Sequence, residues 1–438
     1  MTRLRNRVPG TGWRVAPSVV FASLGAFALL VAGVALSRPD AIAVSMPLAL
    51  WAVAAVGRRT PADVVAEVRA ADGWEQGWLL DDVRARSAAD MVEVSLIQGE
   101  RTRAKAFVPG TGRIRTRSRV LHSGPLRTVE VAARAVDSDG GMLAPPIEAV
   151  STVRTVQPPR RALARLPLAP RLTGLHGAHE GARPGQGGDF RDIHPFAPGD
   201  ELRRVDWKAT ARAARRPGDL LVRRTNTLSD ASVVIAMDTA DELGAVVATW
   251  GTGDLERSGV TSLDHARSAA RSIAAAAVAH SDRVAFHTLA HGGRSVRSGG
   301  GSRHLARVIA DISASGREGD DARFRRTPPV PQGSMIYVLS TFFDGAAAEI
   351  ALKWRAAGHR VVAVDTLPAL DVGKLSRERE FALRVLLAER DDMLHGLRTS
   401  GVETLRWARD PAAELAALSR TPPANVGSVR RQAAGAAR

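Results

Sequence analysis

The residues best placed to do chemistry are acids that follow apolar runs. Ala231–Met237 is one such run, and the chain then reads Asp238-Thr239-Ala240-Asp241-Glu242. A second run, Ser334–Ser340, leads into Thr341-Phe342-Phe343-Asp344. Asp238, Asp241, Glu242 and Asp344 could gather into an improvised acidic site, since a hard cation takes oxygen ligands of this kind. The same acids beside His265 or His287 would resemble the acid–base set of a hydrolase. In a chain with 45 Asp and Glu and 11 His, such groupings arise by chance. His176, His179, Glu180 and His194 lack the helical spacing of a metal site and read as loop polar groups. The Gly-rich stretch 172–189 around them reads as a loop, because so many glycines carry a large entropic cost in a regular element. It ends in Gly187-Gly188-Asp189-Phe190, without the Gly-Lys-Ser/Thr of a phosphate-binding loop. The absence of cysteine excludes a disulfide scaffold, a thiolate nucleophile and Cys-ligated zinc or iron–sulfur. No HExxH and no Ser/His/Asp elbow is present. The expectation is therefore a protein without catalytic residues or cofactor, and not an enzyme.

The densest pattern runs from Phe196 to Arg212, Phe-Ala-Pro-Gly-Asp-Glu-Leu-Arg-Arg-Val-Asp-Trp-Lys-Ala-Thr-Ala-Arg. Pro198-Gly199 reads as a turn, and Asp200 as a cap for the residues after it. Arg203 and Asp206 stand three apart and are expected to pair on a helical face. Trp207 reads as a buried apolar anchor, and Leu220–Arg223 as a strand leading onward.

These motifs need elements to hold them. From residue 229 apolar runs alternate with helical stretches: strands at 231–237, 283–290, 334–340, 360–365 and 402–407, helices at 262–280, 302–313, 346–357, 377–398 and 411–418. That alternation predicts a doubly wound α/β domain over 229–419, with a parallel sheet covered on both faces. Residues 62–157 alternate apolar and polar side chains, as at Met91–Ile97 and Thr128–Ala133, and predict a small antiparallel sandwich. Val108-Pro109-Gly110-Thr111-Gly112 and Asp137–Gly141 punctuate it as turns. The motif segment 160–228 links the two domains, and 420–438 is expected to be a disordered basic tail.

Charge sharpens this division. The chain holds 61 Lys+Arg against 45 Asp+Glu, a formal net charge of +16. The segment 160–228 carries +7 of it, residues 1–14 and 420–438 carry +4 each, and the two large blocks are nearly neutral. Only four of the cations are lysines, so much of the arginine reflects composition rather than a binding function. Arg203, Arg204, Lys208, Arg212, Arg215 and Arg216 could still neutralise phosphates, giving nucleic-acid or anionic-lipid binding as the alternative function. Nucleic acid is the less favoured partner of the two.

Residues 15–37 hold no charge over 23 positions, and residues 41–57 none over 17. A helix needs roughly 17–25 apolar residues to cross the hydrocarbon core. Ser37-Arg38-Pro39-Asp40 makes a polar corner between them, so residues 15–57 predict a transmembrane hairpin. A cleaved signal peptide would have a shorter apolar region and no second span. Arg3, Arg5, Arg7 and Arg14 on one side, with Arg58 and Arg59 on the other, place both termini in the cytoplasm. Residues 1–14 then read as a basic cytoplasmic tail of a multi-pass inner-membrane protein.

The motif resembles that of the bacterial family called domain of unknown function 58. Its marks stand here as Pro198, Gly199, Asp200, Arg203, Val205, Asp206, Trp207, Ala211 and Arg212. Asp189-Phe190-Arg191 stands where the family usually has Glu-Phe, and the apolar hairpin also fits. The resemblance implies a membrane-anchored protein with a cytoplasmic von Willebrand factor A-like domain. It further implies a MoxR-type AAA+ ATPase as partner, in the assembly or remodelling of other proteins. Von Willebrand A domains often bind Mg²⁺ through Asp-x-Ser-x-Ser after the first strand, with a distant Thr and Asp. Here Asp238 is kept, but Ala240 and Glu242 replace the serines and Thr341 stands at the second acid. The resemblance thus implies a degenerate site and a metal-free interaction surface.

Overall fold

A computed structural model describes residues 2–6, 13–57, 63–71, 77–98, 101–137, 140–147, 149–170, 179–198, 200–213, 219–318 and 327–420. Gly199, His176, Arg58, Arg59, Arg215, Arg216 and the tail from 421 onward lie outside them. The chain forms two compact units, residues 1–121 with 125–155, and residues 122–124 with 156–438.

The first unit begins with β1 (Thr2–Asn6) and β2 (Arg14–Val15), followed by two helices, α1 (Pro17–Ala35) and α2 (Pro39–Gly57). Both helices are long and apolar enough to cross a membrane. Their large side chains face outward, among them Phe21, Leu24, Phe27, Leu50 and Val53, which is not how the core helices of a soluble protein look. Gly33 lets the pair approach: a Cβ there would sit 2.7 Å from Ile42 Cγ1. The corner is fastened by Arg38 and Asp40, 2.8 Å apart.

The rest of the unit is β3 (Val64–Ala70), β4 (Trp78–Gln98), β5 (Arg101–Arg119), β6 (Gly124–Val136), β7 (Met142–Leu143) and β8 (Val150–Val156). The sequence predicts a two-sheet sandwich; these strands instead hydrogen-bond into one eight-stranded sheet together with β1 and β2. The cause is the length of β4, which pairs with β3, β5 and β6 along different stretches. The expected turn at Val108–Gly112 lies inside β5, where the register shifts against β4. Gly110 is needed there, because a Cβ would lie 2.3 Å from the Ala89 carbonyl oxygen. The expected tail 1–14 likewise contains a strand: β1 pairs antiparallel with β3, satisfying an edge that would otherwise be open.

The second unit opens with a strap, residues 157–170, tied to the helix α4 (Ser262–Ala279): Ser268 Oγ donates to the Pro159 carbonyl at 2.9 Å. It continues through β9 (His179–Pro195), α3 (Trp207–Ala213) and β10 (Leu221–Ser229). The predicted loop 172–189 is overturned from His179 onward. β9 pairs antiparallel with β10, with register shifts between Arg224 and Thr225 and between Asn226 and Thr227. Gly181 and Gly185 take part in this pairing, opposite Thr227 and Thr225.

The large sheet comprises β11 (Ser232–Met237), β12 (Arg283–Thr288), β13 (Ser295–Gly299), β14 (Met335–Ser340), β15 (Arg360–Asp365) and β16 (Glu403–Arg406). Their spatial order is β13-β12-β11-β14-β15-β16. All neighbours are parallel except β13, an antiparallel edge that corrects the purely parallel expectation. β11, β14 and β15 are buried at every position, as strands covered on both faces are. One face packs α4, α5 (Ser302–Ala314) and α8 (Pro411–Arg420) over Val233, Ile235 and Met237. The other packs α6 (Ala346–Ala356) and α7 (Arg377–Thr399) over Val234 and Ala236. Alternate residues of β11 therefore serve opposite cores. Thr261 and Asp264 form a capping box that starts α4.

Candidate functional site

Parallel strands release their chains at the carboxyl end of the sheet, which is where open α/β sheets present residues to partners. Asp238 follows β11, Ser340 ends β14 with Thr341 after it, and Asp365 ends β15 with Thr366 after it. Asp238 is 9% exposed. Its Oδ2 accepts from Ser340 Oγ at 2.7 Å and its Oδ1 from the Ala240 N–H at 3.1 Å. Ser340 Oγ in turn accepts from the Phe342 N–H at 3.0 Å. That bond helps hold Phe342 at φ 58°, a left-handed backbone that a bulky residue seldom adopts. Burial pushes the Asp238 carboxyl up to about 6; Ser340 and Ala240 pull it down, and the charges of Asp344 and Asp241 push it up.

The other acids are engaged separately. Asp241 Oδ2 is 3.4 Å from Thr341 Oγ1, Glu242 Oε1 accepts from Thr261 Oγ1 at 3.3 Å, and Asp344 Oδ1 accepts from the Ala346 N–H at 3.1 Å at the start of α6. Among the described residues, no three His, Asp or Glu side chains converge to hold a metal ion. The donor set does not fit Mg²⁺. Its one deeply placed carboxylate is turned into the sheet by Ser340, Ala240 carries no side-chain oxygen, and Glu242 is bonded to the α4 cap. His265 Nδ1 faces the Thr366 carbonyl at 3.2 Å and His287 Nδ1 faces Ser295 Oγ at 2.8 Å. Burial lowers the pKa of both rings. His179 Nε2 lies 2.9 Å from Asp282, and His194 lies 3.5 Å from Asp200.

At the end of β15 stands a buried cation that the sequence pattern does not reveal. Arg390 of α7 is 3% exposed. It donates from Nε to the Thr341 carbonyl at 2.5 Å, forms an ion pair with Asp365, and lies 5.5 Å from the Phe343 ring centroid. Phe343 meets Trp250 edge-on, with centroids 6.1 Å apart. A lone Arg in a charged helix carries no signal, but an acid ending a buried strand asks for a cation, and Asp365 could have been read that way.

A third polar cluster lies in the same unit. His122 Nδ1 is 2.7 Å from Asp264 Oδ2, and its Nε2 is 2.8 Å from the Leu255 carbonyl. Two acceptors facing both ring nitrogens require the doubly protonated imidazole. Burial lowers the His122 pKa, but Asp264 and the Leu255 carbonyl more than offset it, and the net shift is upward. Asp264, despite its own burial, is held well below the usual carboxylate range by His122 and the Ser123 and Thr261 N–H groups.

The motif segment is built differently. Val205 and Val222 are buried and bridge antiparallel, the Asp206 N–H donates to the Leu221 carbonyl, and the Phe196 N–H to that of Leu220. This wraps the motif around the start of β10 as a small knob. Asp200 does not cap the following turn; its Oδ2 accepts from the Ala197 N–H at 2.9 Å, closing the Pro198 turn backward. Arg203 pairs with Glu201 at 2.5 Å rather than with Asp206. Asp206 is instead the cap of α3, accepting from the Ala209 N–H at 2.9 Å. Trp207 is 65% exposed, against the expectation of a buried anchor. Its ring lies at the surface of the knob, where Val205 and Val222 are buried instead. Arg212 is exposed on the last turn of α3.

No curated protein matches the chain. Residues 192–372, from the end of β9 through the knob and past β15, match the family model described as Protein of unknown function DUF58.

Proposed function

We propose that this chain is a membrane-anchored interaction module, with a von Willebrand factor A-like head that works with a MoxR-type AAA+ ATPase in the assembly or remodelling of other proteins. The observation that carries the reading is the DUF58 match across the knob and most of the large sheet, joined to an outward-facing apolar helix pair. The strand order, with one antiparallel edge and an acid following the first strand, is compatible with a von Willebrand A-like head. The carboxyl end of its sheet serves as a metal-free surface, because its acids are satisfied by neighbouring hydroxyls and N–H groups. A membrane-embedded α1–α2 hairpin with both ends on one side is supported by β1 and β2 before it and β3 after it belonging to one sheet. The arginines flanking it, Arg3, Arg5, Arg7 and Arg14 before and Arg58 and Arg59 after, support the cytoplasm as that side. The module has no chemistry of its own.

The test is crosslinking in native membranes followed by affinity purification of the full chain and mass spectrometry. Enrichment of an AAA+ ATPase over a control membrane protein supports the reading. A crosslinked set without any ATPase contradicts it.

A further inference from the structure

We propose that the knob around α3 docks onto an anionic membrane surface, with Trp207 and Leu202 entering the headgroup region and Lys208 and Arg212 meeting lipid phosphates. The inference rests on the membrane reading of α1 and α2. Its first support is exposure: Leu202 and Trp207 are each 65% exposed, and Ile193 and Phe196, which meet Arg223 and Leu220 at the same end of β10 that Val205 and Asp206 meet, are exposed too. Single exposed apolar residues are ordinary, but four large ones on a knob whose own core is two valines call for a partner. The second support is the company they keep. Lys208 and Arg212 stand four apart on α3, both exposed, next to Trp207. Tryptophan beside long cationic side chains suits the membrane–water boundary, where the ring lies at headgroup depth and the cations extend to phosphate. The third is charge complementarity, since residues 203–216 hold six Lys and Arg against one Asp and anionic lipid attracts basic clusters close to its surface. A tethered head is always near the bilayer, so contacts too weak to hold a free protein suffice. An acidic protein partner would match the charge as well, but it would have to be recruited, whereas the bilayer is already at hand.

The chain has no cysteine, so Ala211→Cys, exposed on α3, carries a unique thiol for an environment-sensitive fluorophore. The labelled full chain is reconstituted into vesicles of phosphatidylcholine alone or mixed with phosphatidylglycerol. The expected result is a blue-shifted emission, quenched by brominated lipid, only in the anionic vesicles. Salt should reverse it, and Lys208→Glu with Arg212→Glu should abolish it without releasing the protein from the vesicles. Equal emission in both lipids overturns the proposal. So does a blue shift already present in detergent before reconstitution, which would assign the knob to contact between protein copies. Carbonate extraction of the same vesicles separates the two claims. Retained protein with an unshifted label defeats the docking alone, and released protein defeats the membrane reading with it.

Discussion

The carboxyl end of the large sheet and the knob around α3 both carry acids, arginines and aromatic rings, and they turn them in opposite directions. At the sheet end Asp238 is paired with Ser340 and Asp365 with Arg390, all four buried, with Phe343 between Arg390 and Trp250. At the knob the caps are local, the core is Val205 and Val222, and Trp207, Lys208 and Arg212 face outward. The difference teaches where stability and recognition reside. Groups buried in a network are costly to remove and hold a surface in shape, whereas exposed groups cost little and are free to meet a partner.

Substitutions should separate the two regions, measured by denaturant unfolding of the full chain in detergent. Arg390→Ala should have the largest effect, a loss of about 3–5 kcal/mol, because it leaves the Asp365 carboxylate buried without its closest cation. An unchanged midpoint would mean that Arg406, 3.5 Å from Asp365, serves it alone. Asp238 should make stability pH-dependent. Its folded pKa is raised, so stability is greatest below the ordinary carboxylate range and declines as pH rises to about 6, by about 3 kcal/mol at most. Asp238→Asn should remove that slope relative to the parent, and parallel pH profiles for the two proteins would contradict the assignment. His122→Ala should cost about 1–2 kcal/mol in mildly acidic buffer. The difference should fade as pH rises through the raised imidazole value, since a charged histidine stabilises the fold only while protonated. A difference independent of pH would show that the ring packs without its charge. Trp207→Ala should change stability least, by under about 0.5 kcal/mol. A loss of several kcal/mol would place the ring in a core after all.

The same contrast explains what the sequence made legible. Buried strands and amphipathic helices of the large sheet are dictated by hydrophobic pattern, and boundaries such as Arg360–Asp365 coincide with the structure. Ser295–Gly299 escaped because a short polar edge strand has no such pattern. His179–Pro195 lacks a hydrophobic pattern because glycines such as Gly181 and Gly185 pair through their backbone and leave no side-chain signal. Within the sites, the kinds of residue were readable but their partners were not. Asp200 accepts from the Ala197 N–H within the Pro198 turn, and the cap of α3 falls to Asp206, whose carboxylate meets the Ala209 N–H. Trp207 reads as buried because a large ring usually is, yet its local pattern does not show that it faces solvent, 65% exposed.

Membrane attachment with the head on the cytoplasmic face is the claim on which the rest depends. Its most direct test is protease treatment of intact spheroplasts, paired with carbonate extraction of their membranes. The account predicts a carbonate-resistant protein whose head is untouched by external protease and digested once the membrane is opened. Release by carbonate, or digestion of the head in intact spheroplasts, would contradict it.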